Sequence, residues 1–265
     1  MLKMVYMKEN ESLVNHVMVT FTLGMKGLIY SKKWLIYVFL SLAPFIFSIL
    51  SSDRLMGAGN GLDAFIGITL GSQFGFFYVF GVLLLALPNT SDEITDHIMD
   101  LFLIRPVHKE VLFFTRYVIL VLANTILNSA LIIFYYIYFY LIDNRNMYAD
   151  RSILAGMLVF FFIANLLYSA LYLSIGFIGS KGFGIGVFIA VFELFFLDIL
   201  FLANDPTIPR TNLRIIADWL LGSAYAYDVP NKTLPTLNNA FLYVIGVTIL
   251  FLAAGLIYFK TRDFD

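Results

Sequence analysis

Apolar residues run along this chain in six long blocks, separated by short polar clusters. A helix of about 20 apolar residues matches the ~30 Å hydrocarbon layer of a bilayer. The blocks fall at 33–51, 62–88, 117–141, 153–178, 183–203 and 239–259. They predict an all-α membrane protein with six transmembrane helices in one domain, residues 1–265. The glycines at 179–182 divide the fourth block from the fifth. No short apolar stretch with a small-residue cleavage site precedes the first block, so the first span is expected to serve as the targeting signal.

Before the first block the period changes. Val14, Val17, Met18, Phe21, Met25 and Leu28 share one helical face, with Asn15, Thr22 and Lys26 elsewhere. This predicts an amphipathic interfacial helix over about 12–29, lying in the membrane surface; a loosely attached tail is the alternative. Lys32, Lys33 and Trp34 then mark a boundary, as snorkelling lysines and interfacial tryptophan do. The loop of about 204–238 is too long for a simple turn. Ile215, Ile216, Trp219, Leu220 and Tyr227 suggest a short helix or re-entrant segment there, framed by Pro206, Pro209, Pro230 and Pro235, and a plain structural cap is the other reading.

Composition agrees with the pattern. The chain is 60% hydrophobic and 13% charged, against about 25% charged in soluble domains, and its mean hydropathy is +0.86. A net charge of -1 points away from nucleic acid. The absence of cysteine excludes disulfides, thiolate metal sites and cysteine nucleophiles, and the scattered His16, His97 and His108 give no metal-ligand spacing. With six spans both termini share a side. Eleven of the 17 Lys and Arg residues fall on that side and six on the other, which predicts cytoplasmic termini in a multi-pass protein of the cell membrane.

The one concentrated charged island is 91–116. Thr90 and Glu93 have capping-box spacing, and Asp92, Glu93 and Asp96 suit the first turns of a helix. Ile94, Ile98, Leu101 and Phe102 make an apolar stripe, with Asp96 and Asp100 facing away. Pro106 forces a turn at Arg105. A second helix is expected from near His108 through Arg116 into the third span. The result is a hairpin over about 90–116, suited either to a partner's groove or to packing on its own bundle.

The run from Glu93 to Val107 resembles the signature of ABC-2 type permeases, the six-span membrane subunits of type V ABC transporters. The shared features are Glu93, Asp100, the apolar run Leu101 to Leu103, Arg105-Pro106-Val107 and Lys109; His97, Ile98 and Ile104 depart from the pattern. The ending Phe259-Lys260-Thr261-Arg262-Asp263 is similar to the aromatic and basic close of such permeases. The resemblance implies a coupling surface made of Glu93, Ile94, Asp96, Ile98, Asp100, Leu101, Phe102, Arg105 and Lys109, against which a separate ATP-binding-cassette ATPase subunit docks. It further implies ATP and Mg bound on that partner, no cofactor on this chain, and a second permease copy, identical or related. Consistent with this, no phosphate-binding G-x-x-x-x-G-K-[ST] and no hydrolase motif occurs.

Within the spans a few polar residues stand out. Glu193 falls near the middle of the fifth block, with Asp198 five residues on. An intramembrane carboxylate costs roughly 2.5–3.5 kcal/mol and so faces the bundle interior, a partner or water. It lines a polar path, or it is a structural group bonded to Asn165, Tyr168 or a hydroxyl. Asn124 and Asn128 share a face of the third span and read as helix glue. Gly67, Gly71 and Gly75 permit close helix packing in the second span. Phe134, Tyr135, Tyr136, Tyr138, Phe139 and Tyr140 read as an interfacial belt. Two function classes follow. One is the membrane subunit of an ATP-driven exporter of amphiphilic or hydrophobic cargo. The other is a non-transporting scaffold or sensor that recruits a cytosolic partner through the same hairpin.

Overall fold

The computed structural model describes residues 17–50, 65–87, 90, 108–142, 151–193, 207–221 and 236–261, and every regular element among them is helical. Helix α1 (Val17–Tyr30) leads through a tight corner into α2 (Lys33–Leu50). A π-helical segment, Gly67–Phe77, runs straight into α3 (Tyr78–Ala86). Then follow α4 (Lys109–Ile142), α5 (Arg151–Gly176), α6 (Ser180–Val191), α7 (Pro209–Leu221) and α8 (Leu237–Thr261). Three helices, at 109–141, 152–176 and 237–261, are long and apolar enough to cross a membrane. The protein is therefore a helical membrane protein by length and composition. At 1.5 Å per residue α4 is roughly 50 Å long, well beyond the ~30 Å hydrocarbon, so part of it lies outside.

Helix α5 is the hub. It packs against α3, α4, α6, α7 and α8. The expected break between the fourth and fifth blocks is present: α5 stops at Gly176, Gly179 adopts φ 84° and α6 begins at Ser180. Glycine is required at this hairpin. A side chain on Gly182 would meet the Ile175 carbonyl oxygen at 2.4 Å. The start of α4 at Lys109 agrees with the helix expected from near His108 into the third span.

The α1–α2 corner turns at Lys32, a non-glycine residue at φ 56°. The corner is held by Ser31 N–H donating to the Gly27 carbonyl at 3.0 Å and by the Trp34 indole donating to the Ile29 carbonyl at 3.1 Å. Helix α1 buries Thr20, Gly24 and Leu28, while Val17, Met18 and Leu23 are exposed. Its inward seam is therefore Thr20, Gly24 and Leu28, at i, i+4 and i+8; Leu28 belongs to the expected apolar face, and Phe21 and Met25 are half-buried beside it. The reason is steric. The would-be Cβ of Gly24 lies 2.1 Å from the Arg116 guanidinium and 2.5 Å from Ile119, so α1 meets α4 backbone to side chain.

Two further expectations change. The aromatic run of α4 is not simply a belt: Tyr135 and Phe139 are buried, and Tyr135 donates to the Ser41 carbonyl of α2. Phe45 of α2 sits among the rings of Phe134, Tyr135 and Tyr138 at 4.5–5.5 Å. These aromatics lock α2 to α4. Gly67 is exposed and has nothing within 4 Å of its would-be Cβ, because Phe65, Ile66, Ile68 and Thr69 take the inward directions. The surroundings of Gly71 and Gly75 lie outside the described residues. The close approach in this stretch is at Gly81, against the ring of Tyr37.

Helix α7 lies against both α5 and α8. Its last residues meet the start of α5, where Gly156 abuts the Leu220 carbonyl. Its first residues reach further in. Tyr243, ~9 Å along α8 from Leu237, donates to the Thr207 carbonyl. With 13 residues, ~20 Å, it is too short to cross a bilayer.

Candidate intramembrane polar site

On α5, Asn165, Tyr168, Ser169 and Tyr172 follow i, i+3, i+4, i+7 spacing, so one face of an otherwise apolar helix is polar. All four are buried. Tyr168 is ~25 Å from the Arg151 end of α5 and ~12 Å from the Gly176 end, which places this face inside the span.

One half of the site is an amide network. Tyr37 of α2 donates to Asn128 Oδ1. Asn128 Nδ2 donates to the Asn124 carbonyl at 2.9 Å and to Asn165 Oδ1 at 3.2 Å. Asn165 Oδ1 also accepts from Tyr78 of α3 at 2.7 Å, and Asn165 Nδ2 donates to Thr125 Oγ1 at 3.2 Å. Asn124 Nδ2 donates to Ser169 Oγ at 3.3 Å. Four helices are thereby joined through side-chain amides, the expected role of Asn124 and Asn128.

The other half is charged. Tyr168 donates to Glu193 Oε1, and the Arg210 guanidinium lies 3.4 Å from the Glu193 carbonyl oxygen. The cations Arg210 and Arg214, one turn apart on α7, both act on the Glu193 carboxylate. Arg210 is buried and stands 5.8 Å over the Phe74 ring, a cation–π distance. Phe74 in turn packs on Phe160 at 4.8 Å and on Tyr78 at 5.6 Å. The Tyr78 and Tyr168 rings meet edge to face at 5.6 Å, so the amide and charged halves are contiguous. Glu193 therefore has the Tyr168 bond expected of a structural group and also a charged neighbour in Arg210. Two buried oxygens of the site, Asn124 Oδ1 and the Tyr172 hydroxyl, have no hydrogen-bond partner among the described residues.

The sequence reading missed Arg210 by assigning it to a loop. The available signal was the spacing of Arg210, Arg214 and Asp218, one charge per turn on a short amphipathic helix. It also missed Tyr37 and Tyr78, which look apolar in a run of hydrophobic residues; a tyrosine hydroxyl buried in a span needs a partner.

Of the residues expected on a coupling surface, only Lys109 is described. Glu93, Ile94, Asp96, Ile98, Asp100, Leu101, Phe102 and Arg105 lie outside the described residues, as does Asp198. Lys109 donates to the Lys260 carbonyl at the end of α8, at 3.1 Å, and Lys260 pairs with Glu110 at 2.5 Å. Phe259 packs on Phe177 at 4.4 Å and on Phe113 at 6.3 Å just beneath. The start of α4, the corner just after α5 and the end of α8 are thus tied together at one end of the bundle, with the fully buried Arg116 a turn or two further along α4.

Comparison of the chain with protein-family models, with curated proteins and with solved structures returns no match.

Proposed function

We propose that this chain is the membrane permease subunit of an ATP-driven transporter, an exporter of amphiphilic or hydrophobic cargo. The observation that carries the reading is the Glu193–Arg210 meeting inside an apolar bundle. Ionisable residues within spans mark substrate paths. The Tyr172 hydroxyl and the Asn124 side-chain oxygen, which have no hydrogen-bond partner among the described residues, are contacts for a passing polar headgroup. The chain carries no nucleotide-binding motif, so hydrolysis of ATP with Mg belongs to a partner ATP-binding-cassette subunit. That subunit docks on the 90–116 hairpin. The bundle has six spans and cytoplasmic termini, and it works beside a second permease copy.

The test is co-expression with an ATP-binding-cassette subunit encoded beside it, followed by purification in lipid. The expected result is a stable complex whose ATP turnover falls on charge reversal at Glu93 and Asp100. A chain that purifies alone, with no ATPase bound, would support a membrane scaffold instead.

A further inference from the structure

From residue 12 to residue 52 the chain has three lysines, Lys26, Lys32 and Lys33, and no aspartate or glutamate. All three fall at or near the α1–α2 corner. Lys26 lies two residues from Gly24, so it is on the side of α1 turned away from α4. It is exposed, and so is Lys32 at the corner itself. Neither of these two ammonium groups has an ion pair among the described residues. The corner holds together without them. The last carbonyls of α1, at Gly27, Leu28 and Ile29, accept from the Ser31 N–H, the Ser31 hydroxyl at 2.8 Å and the Trp34 indole. The helix dipoles do not call for them either. The negative end of α1 and the positive end of α2 meet here and offset each other, and α2 has no acid in its first turn. Two positive charges therefore face outward.

We propose that the α1–α2 corner is a docking surface for the headgroups of anionic phospholipids, with Lys26 and Lys32 on the phosphates. Charge and depth together select this partner. Tyr30 and Ile29 beside the lysines are 77% and 53% exposed, and Trp34 is half-buried. Tyrosine and tryptophan concentrate at headgroup level. Helix α2, with 18 residues and a length of ~27 Å, nearly equals the ~30 Å hydrocarbon, so its Lys33 end lies at a bilayer face. Lysines at that level draw anionic lipids over zwitterionic ones, whose phosphate already has an ammonium beside it. The inference rests on the bilayer reading of the fold and not on the permease reading.

The experiment uses Trp34 as the reporter. The full chain carrying Trp219→Phe, a change at an exposed side chain, is reconstituted in vesicles of phosphatidylcholine and phosphatidylglycerol. One lipid or the other is supplied in brominated form, which quenches tryptophan on contact, so the two quenching levels give the lipid ratio at the corner. The expected result is phosphatidylglycerol enriched roughly fivefold or more over its bulk share, the preference that one lysine near an anionic surface confers. Lys26→Gln with Lys32→Gln brings the ratio close to bulk. Lys181→Gln, which removes an exposed lysine at the start of α6, leaves the enrichment in place. A bulk ratio in the chain with all its lysines, or an enrichment that survives the Lys26 and Lys32 changes, overturns the proposal. So does an enrichment that Lys181→Gln abolishes equally, because net charge and not the corner would then attract the lipid. Quenching by neither lipid also overturns it, because protein and not lipid would then cover the corner. The three lysines are exposed, so their replacement leaves the core intact, and a thermal melt checks each variant.

Discussion

The Arg210 guanidinium stands 3.4 Å from the main-chain oxygen of Glu193, two residues beyond the end of α6. The contact reaches Glu193 through its main chain, from a cation in the first turn of α7. The same cation acts on the carboxylate of Glu193.

Removing Arg210 should therefore cost more than removing the charge of Glu193. Breaking a buried pair from one side costs about 3–5 kcal/mol, because a charge stays behind. Arg210→Ala should lower the unfolding temperature strongly. Glu193→Gln keeps an acceptor for Tyr168 but leaves the Arg210 charge behind, so it should also lower the unfolding temperature, by less because the Arg210 contact to the Glu193 main-chain oxygen survives. Adding Glu193→Gln to Arg210→Ala should recover most of the loss. Trp219 on α7 and Trp34 on α2 are the two tryptophans of the chain, so intrinsic fluorescence follows both sides of the bundle.

The amide network yields a graded series. Interhelical hydrogen bonds in membranes average about 0.6 kcal/mol, with a maximum near 1.7. Tyr37→Phe removes one bond and should cost about 0.6 kcal/mol. Asn165→Leu removes the bonds to Tyr78, Asn128 and Thr125 and should cost roughly 2 kcal/mol. Equal losses in the two variants, by denaturant titration in mixed micelles, would mean that the network is not additive.

Gly24→Leu should detach α1, since even a Cβ at this position meets the buried Arg116 and Ile119. The chain has no cysteine, so a single introduced one is a clean probe. Thr20→Cys, on a position that is 2% exposed, should react slowly with a water-soluble maleimide and many-fold faster when combined with Gly24→Leu. An unchanged rate would place α1 elsewhere than on α4.

Asp218, in the last turns of α7, gives a pH dependence. Partial burial pushes its carboxyl up to about 6, and Arg214 draws it back only in part. The folded state thus holds a proton that the unfolded state has released, between pH 3.8 and about 6. Stability from this group is greatest at the acid end of that window and is lost as pH rises through about 6. Asp218→Asn should flatten this slope in melts taken from pH 4 to 7.

The helical class, the break at 179–182 and the glue residues Asn124 and Asn128 were legible because each depends on local chemistry: block length, glycine at a turn, amides in a span. What was not legible depends on which faces meet. The inward seam of α1 is set by Arg116, almost a hundred residues away in the chain, so the apolar periodicity around Phe21 could not single out Thr20 and Gly24 as the contact with α4. The α4 aromatics were read as a belt because sequence cannot show that Phe45 slots among them. Glu193 was visible as a lone acid in an apolar run. Its neighbour Arg210 was not, because a charge in a long polar loop carries no sign of reaching back into the bundle.

The corner at Lys32 has a mechanical consequence. A lysine held at φ 56° occupies a conformation that side chains with a Cβ adopt at a cost, so the bend between α1 and α2 is a rigid elbow and not a slack link. One arm of the elbow, α1, is clamped to α4 through Gly24 and Arg116; the other, α2, carries Tyr37 into the amide network. The corner thus fixes the Gly24–Arg116 contact and the Tyr37–Asn128 bond relative to each other.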